Sequence, residues 1–450
     1  MEKERNNSTP LLLPPKSGTH HQNHPPKGKQ EQAEGINDKN VVVDVDGEEV
    51  DTQLDETLKK FEFFLRFLCF DQTNPLKFGV SWFVFLVVGV AIPVLIIELT
   101  HCLDCEDYQV KDFEYEILTS HLILAGVSLI CVAYNINKKG FRKFLFVDRY
   151  RGYTARFKDQ YIKKIEGSYQ LLLQSLIPCC ILKALHEIMR MIYVQNHSWW
   201  LACFNATALV ISWTYLSAIS LAACILFHVA CNLQVIHFND YAKLLESESS
   251  IMTLMDEHMR LRGYLSKISH RFRIYLILIF LFVTASLCMT LIQITGINGR
   301  VTFLNGGNFA VTSIVQVVET LLCLHAGTKI SSRAHAIGSV ASRWHALVTC
   351  KSLDAGKRSM SMGSLTSNYS DSESNLLDEN AIISHSQFAS VSSYNKRQSF
   401  VMYLQTNPGG LTLYGWTVDR SLLSTIFAIE LSLVLFVLGQ TIVFSSPSND

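Results

Sequence analysis

Lysine and arginine together number 39, and so do aspartate and glutamate, so this chain of 450 residues has no excess charge of either sign. That balance excludes a globally basic nucleic-acid binder. Nucleotide and hydrolase signatures are absent too. There is no G-x4-G-K-[ST], no G-x-G-x-x-G, no H-E-x-x-H and no G-x-S-x-G. His186-Glu187 has no second histidine at zinc spacing. No catalytic residue, cofactor or metal is therefore expected, and the expected class is not an enzyme. The first residues, MEKERNNSTPLLLPP, lack the apolar core of a cleaved signal peptide.

What the chain has is long apolar stretches. A bilayer core of about 30 Å takes roughly 20 apolar residues as a helix. Seven stretches qualify: 78–97, 117–134, 169–194, 207–233, 274–294, 309–326 and 422–444. The third carries Lys183, Glu187 and Arg190, and the sixth carries Glu319 and His325. The expected fold is all-α, a polytopic membrane protein with seven transmembrane helices. Lysine and arginine fix its direction. The loop after the second stretch holds Lys138, Lys139, Arg142, Lys143, Arg149 and Arg151, whereas the first loop holds only Lys111 among five acids. The third loop, 195–205, has no charge. The N-terminus is thus expected in the cytosol and the C-terminus outside, with the plasma membrane as the default site.

Four segments are expected. Residues 1–55 form a polar, disordered cytosolic tail. Residues 56–350 carry the first six membrane helices and their cytosolic extensions. A serine-rich insert, 351–399, is disordered, with Ser359 and Ser399 following basic pairs. Residues 400–450 hold a cytosolic pre-helix and the last span, with Asp419 and Ser421 as N-cap candidates and Gly409-Gly410 as a turn.

Two apolar stripes lie in the cytosolic extensions. Ile251, Leu254, His258, Leu261, Leu265, Ile268 and Phe272 follow a 3-4 spacing, as do Ile330, Ala334, Ile337, Ala341, Trp344 and Leu347. They either pack within one subunit or join several.

The charged spans also leave alternatives open. Lys183, Glu187 and Arg190 share a helix face. They form either an internal salt-bridge stripe or a polar cavity holding a ligand. Glu430, Leu433, Val437, Gln440 and Phe444 share a face of the last span. That face either lines a pore, with an acidic ring and an apolar gate, or packs against neighbouring spans. Gly306-Gly307 reads as an outer bend. On the outer side, Cys102 and Cys105 could be a disulfide, a metal pair or free thiols. An oxidising compartment favours the disulfide, with Cys203 a further partner. Asn196 and Asn205 head glycosylation triplets, the second close to the membrane.

Longer stretches resemble a known family: FEFFLRFLCFDQTN before the first span, GFRKFLFVDR in the second loop, EHMRLRGYLSKISHRFR entering the fifth span, and YGWTVDRSLLSTIFAIELSLVLFVLGQTI at the end. They resemble the plant membrane proteins grouped as DUF3537, the gustatory-receptor-like proteins, over residues 61–444. Gly415 with Asp419, and Gln440, extend a distant similarity to insect gustatory and odorant receptors. Of the insect signature (Thr-Tyr, five apolar residues, Gln-Phe) only the apolar run 435–439 and Gln440 are shared. The resemblance implies a homotetramer in the lipid bilayer whose last spans surround a cation pore. It further implies a shared cytosolic anchor, a small-molecule ligand entering from outside, and no nucleic acid. The expected function is an oligomeric, ligand-gated cation channel. The alternative is a non-conducting scaffold or signalling protein.

Asn196→Gln should remove an endoglycosidase-sensitive mobility shift, while substituting Asn7 or Asn368 should leave it unchanged.

Overall fold

Lipid offers no partner to backbone polar groups, so apolar stretches satisfy them internally as helices. The computed structural model describes residues 45–99, 111–146, 153–194, 199–247, 250–296, 303–363 and 376–444. The chain divides into Met1–Val45 and Asp46–Asp450, and the second unit is described below. In chain order the helices are α1 (Val45–Phe67), α2 (Pro75–Leu86), α3 (Ile92–Leu99), α4 (Lys111–Lys139), α5 (Phe141–Leu145), α6 (Tyr153–Val194), α7 (Trp199–Glu246), α8 (Ile251–Gly296), α9 (Phe303–Gly363), α10 (Leu376–Thr406) and α11 (Arg420–Phe444). Among the described residues six helices are long and apolar enough to cross a membrane: Pro75–Leu99, Glu114–Lys139, Phe157–Ile192, Trp199–Glu246, Ile251–Met289 and Gly307–Lys351. The protein is therefore an all-helical integral membrane protein, apart from one short hairpin.

The first span contains a π-helical turn, Val87–Ala91. Pro93 has no N–H to give the carbonyl five residues back. Ser212 of α7 supplies that carbonyl instead, donating to Val88 O at 2.6 Å. Gly89 lets the two helices meet, since a Cβ there would stand 3.0 Å from Leu216.

α7 is the axis of the fold. From Ser212 to Phe238 nearly every residue is buried. Its polar contacts to α9 form a ladder. Trp213 Nε1 donates to Thr312 at 3.2 Å, the Ser220 hydroxyl donates to Glu319, Lys329 donates to Asn232 at 2.9 Å, and Arg343 pairs with Glu246 at 2.6 Å. The partners stay 97 to 99 residues apart along the whole run. A constant offset means α7 and α9 run parallel. Against α6 the separation shrinks from 76 (Tyr161–His237) to 34 (Cys180–Thr214), so that pair is antiparallel. Against α8 it shrinks from 51 (Cys224–Tyr275) to 13 (Tyr241–Leu254), again antiparallel. Successive long helices thus alternate in direction, as successive membrane crossings must.

At the end opposite the loop between α6 and α7, a hairpin of β1 (Thr412–Leu413) and β2 (Trp416–Thr417) docks on α8 and α9. Tyr414 and Gly415 both have positive φ, 49° and 94°, which a two-residue turn of the mirror-image type requires. Ser269 of α8 donates to Thr412 O, and Leu411 N donates to Ser331 of α9 at 3.0 Å. Asp419 caps α11 through Leu422 N at 2.9 Å, so Asp419 rather than Ser421 is the cap.

Several expectations need correction. Helix α1 starts at Val45, inside the segment expected to be tail. Its Leu54, Leu58, Phe61, Leu65 and Leu68 recur at a 4-3-4-3 spacing and are buried, and such a stripe holds a helix in place. The serine-rich insert is helical on both flanks, with α9 reaching Gly363 and α10 starting at Leu376; residues 364–375 lie outside the described residues. Phe400, Val401 and Leu404 of α10 anchor it by burial. Gly307 is not in a bend but inside α9, where an added Cβ would stand 2.8 Å from the His186 ring. Asn205 is buried within α7, which denies it to a glycosylating enzyme needing an exposed loop. Asn196, Cys102 and Cys105 lie outside the described residues. Cys203 stands in α7 with its thiol 3.9 Å from Met191 Sδ.

Glycines test this packing. Gly327 of α9 faces the hairpin, and a Cβ there would stand 2.9 Å from Val418. Gly327→Ala should lower the detergent melting temperature, with overpacking costing about 1–3 kcal/mol. Gly79→Ala, which meets nothing within 4 Å, should instead raise it through the roughly 1 kcal/mol helix advantage of alanine.

Candidate functional site

The expected polar face of the third span faces inward. α6 carries Lys183, Glu187 and Arg190 on one side because residues three and four apart share a face. The Lys183 ammonium sits 2.6 Å from Glu187 Oε1 and donates to Asn308 of α9 at 2.6 Å. Arg190 pairs with Glu114 of α4 at 3.1 Å and lies 3.9 Å from Glu187. The side chains of Lys183, Glu187 and Glu114 are 6%, 3% and 8% exposed. Two cations thus meet two anions, and the cluster is neutral.

Of the two alternatives read from the sequence, the internal salt-bridge stripe is what the side chains form. The salt bridges line a cavity of about 50 Å³, closed on its other sides by His121, Ser212, Trp213 and Pro93. His121 Nε2 lies 3.2 Å from the Ser217 hydroxyl, and its ring leans on Trp213 at 5.6 Å. That volume holds a few waters at roughly 10–15 Å³ each. Small-molecule pockets occupy about 300–1,000 Å³. Admitting an organic ligand therefore requires α4, α6 and α9 to spread.

Sequence reasoning missed Glu114, Asn308 and His121. Glu114 belonged to an acidic loop by position alone, yet it opens the second span and faces Arg190. One signal pointed there: Lys183, Glu187 and Arg190 leave one positive charge unmatched at membrane depth, which calls for another acid.

On the last span Glu430 follows the packing alternative. Glu430 does not stand on a free face of α11. It is wholly buried against α9 with the Thr320 hydroxyl beside its carboxyl group. Leu433, one turn on, is half-buried on the same side. An ionisable side chain at this depth turns to protein rather than lipid, so Glu430 is not offered to an acidic ring. Val437, Gln440 and Phe444 follow on α11 with their side chains outside the described residues.

The exposed side of α11 carries Ser421, Ser424, Thr425, Ala428 and Ser432, flanked by Ile429 and Leu431, before Leu435 and Phe436. Ser424 and Ser432 donate to Arg420 O and Ile429 O of their own helix, both at 2.8 Å. Each hydroxyl keeps acceptor lone pairs in hand. Other spans expose large apolar groups: Phe83, Leu95, Ile130, Leu185, Ile192 and Leu281.

The residues expected at a subunit junction are covered within one chain. Leu254, Leu261, Leu265 and Ile268 of α8 and Trp344 of α9 are all buried. Tyr241 of α7 donates to Leu254 O at 3.0 Å, and Tyr403 of α10 stacks edge-on against His258 at 5.7 Å. Packing within the subunit covers these residues, while Leu347 at the end of the α9 stripe is exposed.

The sequence profile of DUF3537, described as a protein of unknown function, matches residues 56–429. No curated protein matches. Two solved structures are similar in fold. One is the insect olfactory receptor OR5 from Machilis hrabei in complex with eugenol, at 13% identity and TM-score 0.54, covering 86% of this chain and 99% of the receptor. The other is OR5 without that ligand, at 12% identity and TM-score 0.51, covering 86% and 98%.

Lys183→Ala would strand Glu187 in the interior, and breaking a buried pair costs about 3–5 kcal/mol. Detergent unfolding should show that loss. Lys183→Leu combined with Glu187→Leu should recover most of it.

Proposed function

We propose, given that the chain belongs to the DUF3537 family, that it forms a homotetrameric, ligand-gated cation channel of the plasma membrane. In this reading the chain crosses the bilayer seven times, with α11 as the seventh crossing, its N-terminus cytosolic and its C-terminus outside. Four copies of α11 surround the pore. The observation that carries the reading is the hydroxyl-bearing exposed face of α11. A face destined for lipid has no use for Ser421, Thr425 and Ser432, whereas their oxygens can replace part of a cation's hydration shell. Gln440 follows Phe436 by four residues in the sequence. Gating begins at the cluster of Lys183, Glu187 and Arg190. The displacement caused by a small ligand that separates α4, α6 and α9 passes along α9 to α11, whose Glu430 lies against α9.

A second reading has one observation behind it. A groove of about 740 Å³ between α8 and α10 is lined by Ile251, Met252, Met255, Phe400 and Tyr403. A scaffold acting through that groove would not need α11.

The test is current through the full-length protein in planar bilayers under a broad ligand screen. Ser432→Cys should make the current sensitive to a charged thiol reagent, and Leu281→Cys on the lipid face of α8 should not. Insensitivity of Ser432→Cys would exclude α11 from the pore, and loss of signalling only on filling the α8–α10 groove would favour the scaffold.

A further inference from the structure

Where α4 leaves its apolar stretch and α8 enters its own, basic side chains converge. Ile136 is the last buried apolar residue of α4, and Lys138 and Lys139 follow it. On α8, Lys267 and Arg271 lie one turn apart, just before the apolar run that starts at Ile274. Lys139 feels the like charges of Arg271, Lys138 and Lys267, and no acid is among the charges acting on it. Among the described residues of this region the acid Asp55 is committed to Arg142 at 3.1 Å.

The cluster is held in place by contacts that use no counter-charge. The Asn135 side chain of α4 donates to Arg271 O at 3.1 Å, tying the two helices. The Arg271 guanidinium donates to Phe144 O of α5 at 2.8 Å, and its Nε is buried without a partner. Lys138 lies over the Tyr134 ring at 5.6 Å and Lys267 over the Tyr264 ring at 5.4 Å. Sidedness explains why these loops are basic, but it does not explain convergence. Cations spread along solvated loops satisfy it without repelling one another.

We propose that the α4–α5–α8 junction binds the phosphomonoester headgroup of a membrane lipid. The cations sit at the edge of the apolar core, where lipid phosphates lie, and basic pockets between membrane helices suit such headgroups. Several cations with no free acid beside them among the described residues call for more than the single charge of a phosphodiester. A phosphomonoester adds about two. The inference does not depend on conduction.

The test uses the full chain in phosphatidylcholine nanodiscs doped with phosphatidylinositol 4-phosphate or with phosphatidylserine, read by native mass spectrometry. The phosphoinositide should be retained preferentially. Lys139→Gln with Lys267→Gln should weaken retention on the order of thirtyfold, the factor given by about 1 kcal/mol per lysine, with the melting temperature unchanged. Lys59→Gln with Lys60→Gln, an equal charge removal on exposed α1, should not weaken it. Equal retention by the double variant, an equal loss in the α1 control, or no preference over phosphatidylserine would overturn the site. Equally tight binding of soluble inositol phosphate without a bilayer would overturn the lipid as its source.

Discussion

The parallel ladder between α7 and α9 is the constraint on which the rest depends. Each rung is a polar side chain that a membrane interior would otherwise leave unsatisfied. Trp213–Thr312, Ser220–Glu319 and Lys329–Asn232 keep one offset, so they fix register as well as proximity. Purely apolar faces between helices in lipid would slide, because lipid competes with side chains for contact. With α7 and α9 locked, α6 and α8 pack antiparallel beside α7. The charged face of α6 then meets Asn308 of α9 and Glu114 of α4. The cavity beside Lys183 and Glu187 is a consequence of that register.

The same helix links the two ends of the proposed mechanism. α9 supplies Asn308 to the cavity, Thr312 and Glu319 to the ladder, and the surface beside Thr320 that receives Glu430 of α11. Below these, Gly327 and Ser331 seat the hairpin that leads into α11. A rigid-body shift of α9 would therefore be felt at α11 through two contacts, the carboxyl side chain and the hairpin. Helix shifts of one or two ångströms are common in switching proteins.

Much of the architecture was legible in the sequence. Six of the expected spans stand as long apolar helices, and the stripes on α8 and α9 are buried within the subunit apart from Leu347. The helices run well past the predicted spans, because apolar run length reports only the lipid-facing part. α7 continues to Glu246 since α8 and α9 continue beside it. The errors came from faces. Helical spacing placed Glu430 and Leu433 on one side correctly, but spacing alone does not say which side meets α9. The partners of Lys183 and Arg190 lie 125 and 76 residues away, beyond any local pattern. Asn205 matched an acceptor triplet, yet the chain around it is helix.

Subunit number and the helix at the axis bear on the central claim most directly. A cryo-EM map of the full-length protein in nanodiscs should show four copies, with the hydroxyl row of α11, formed by Ser421, Thr425 and Ser432, facing the symmetry axis. A monomer, or an assembly with α11 on its lipid-facing perimeter, would contradict the account.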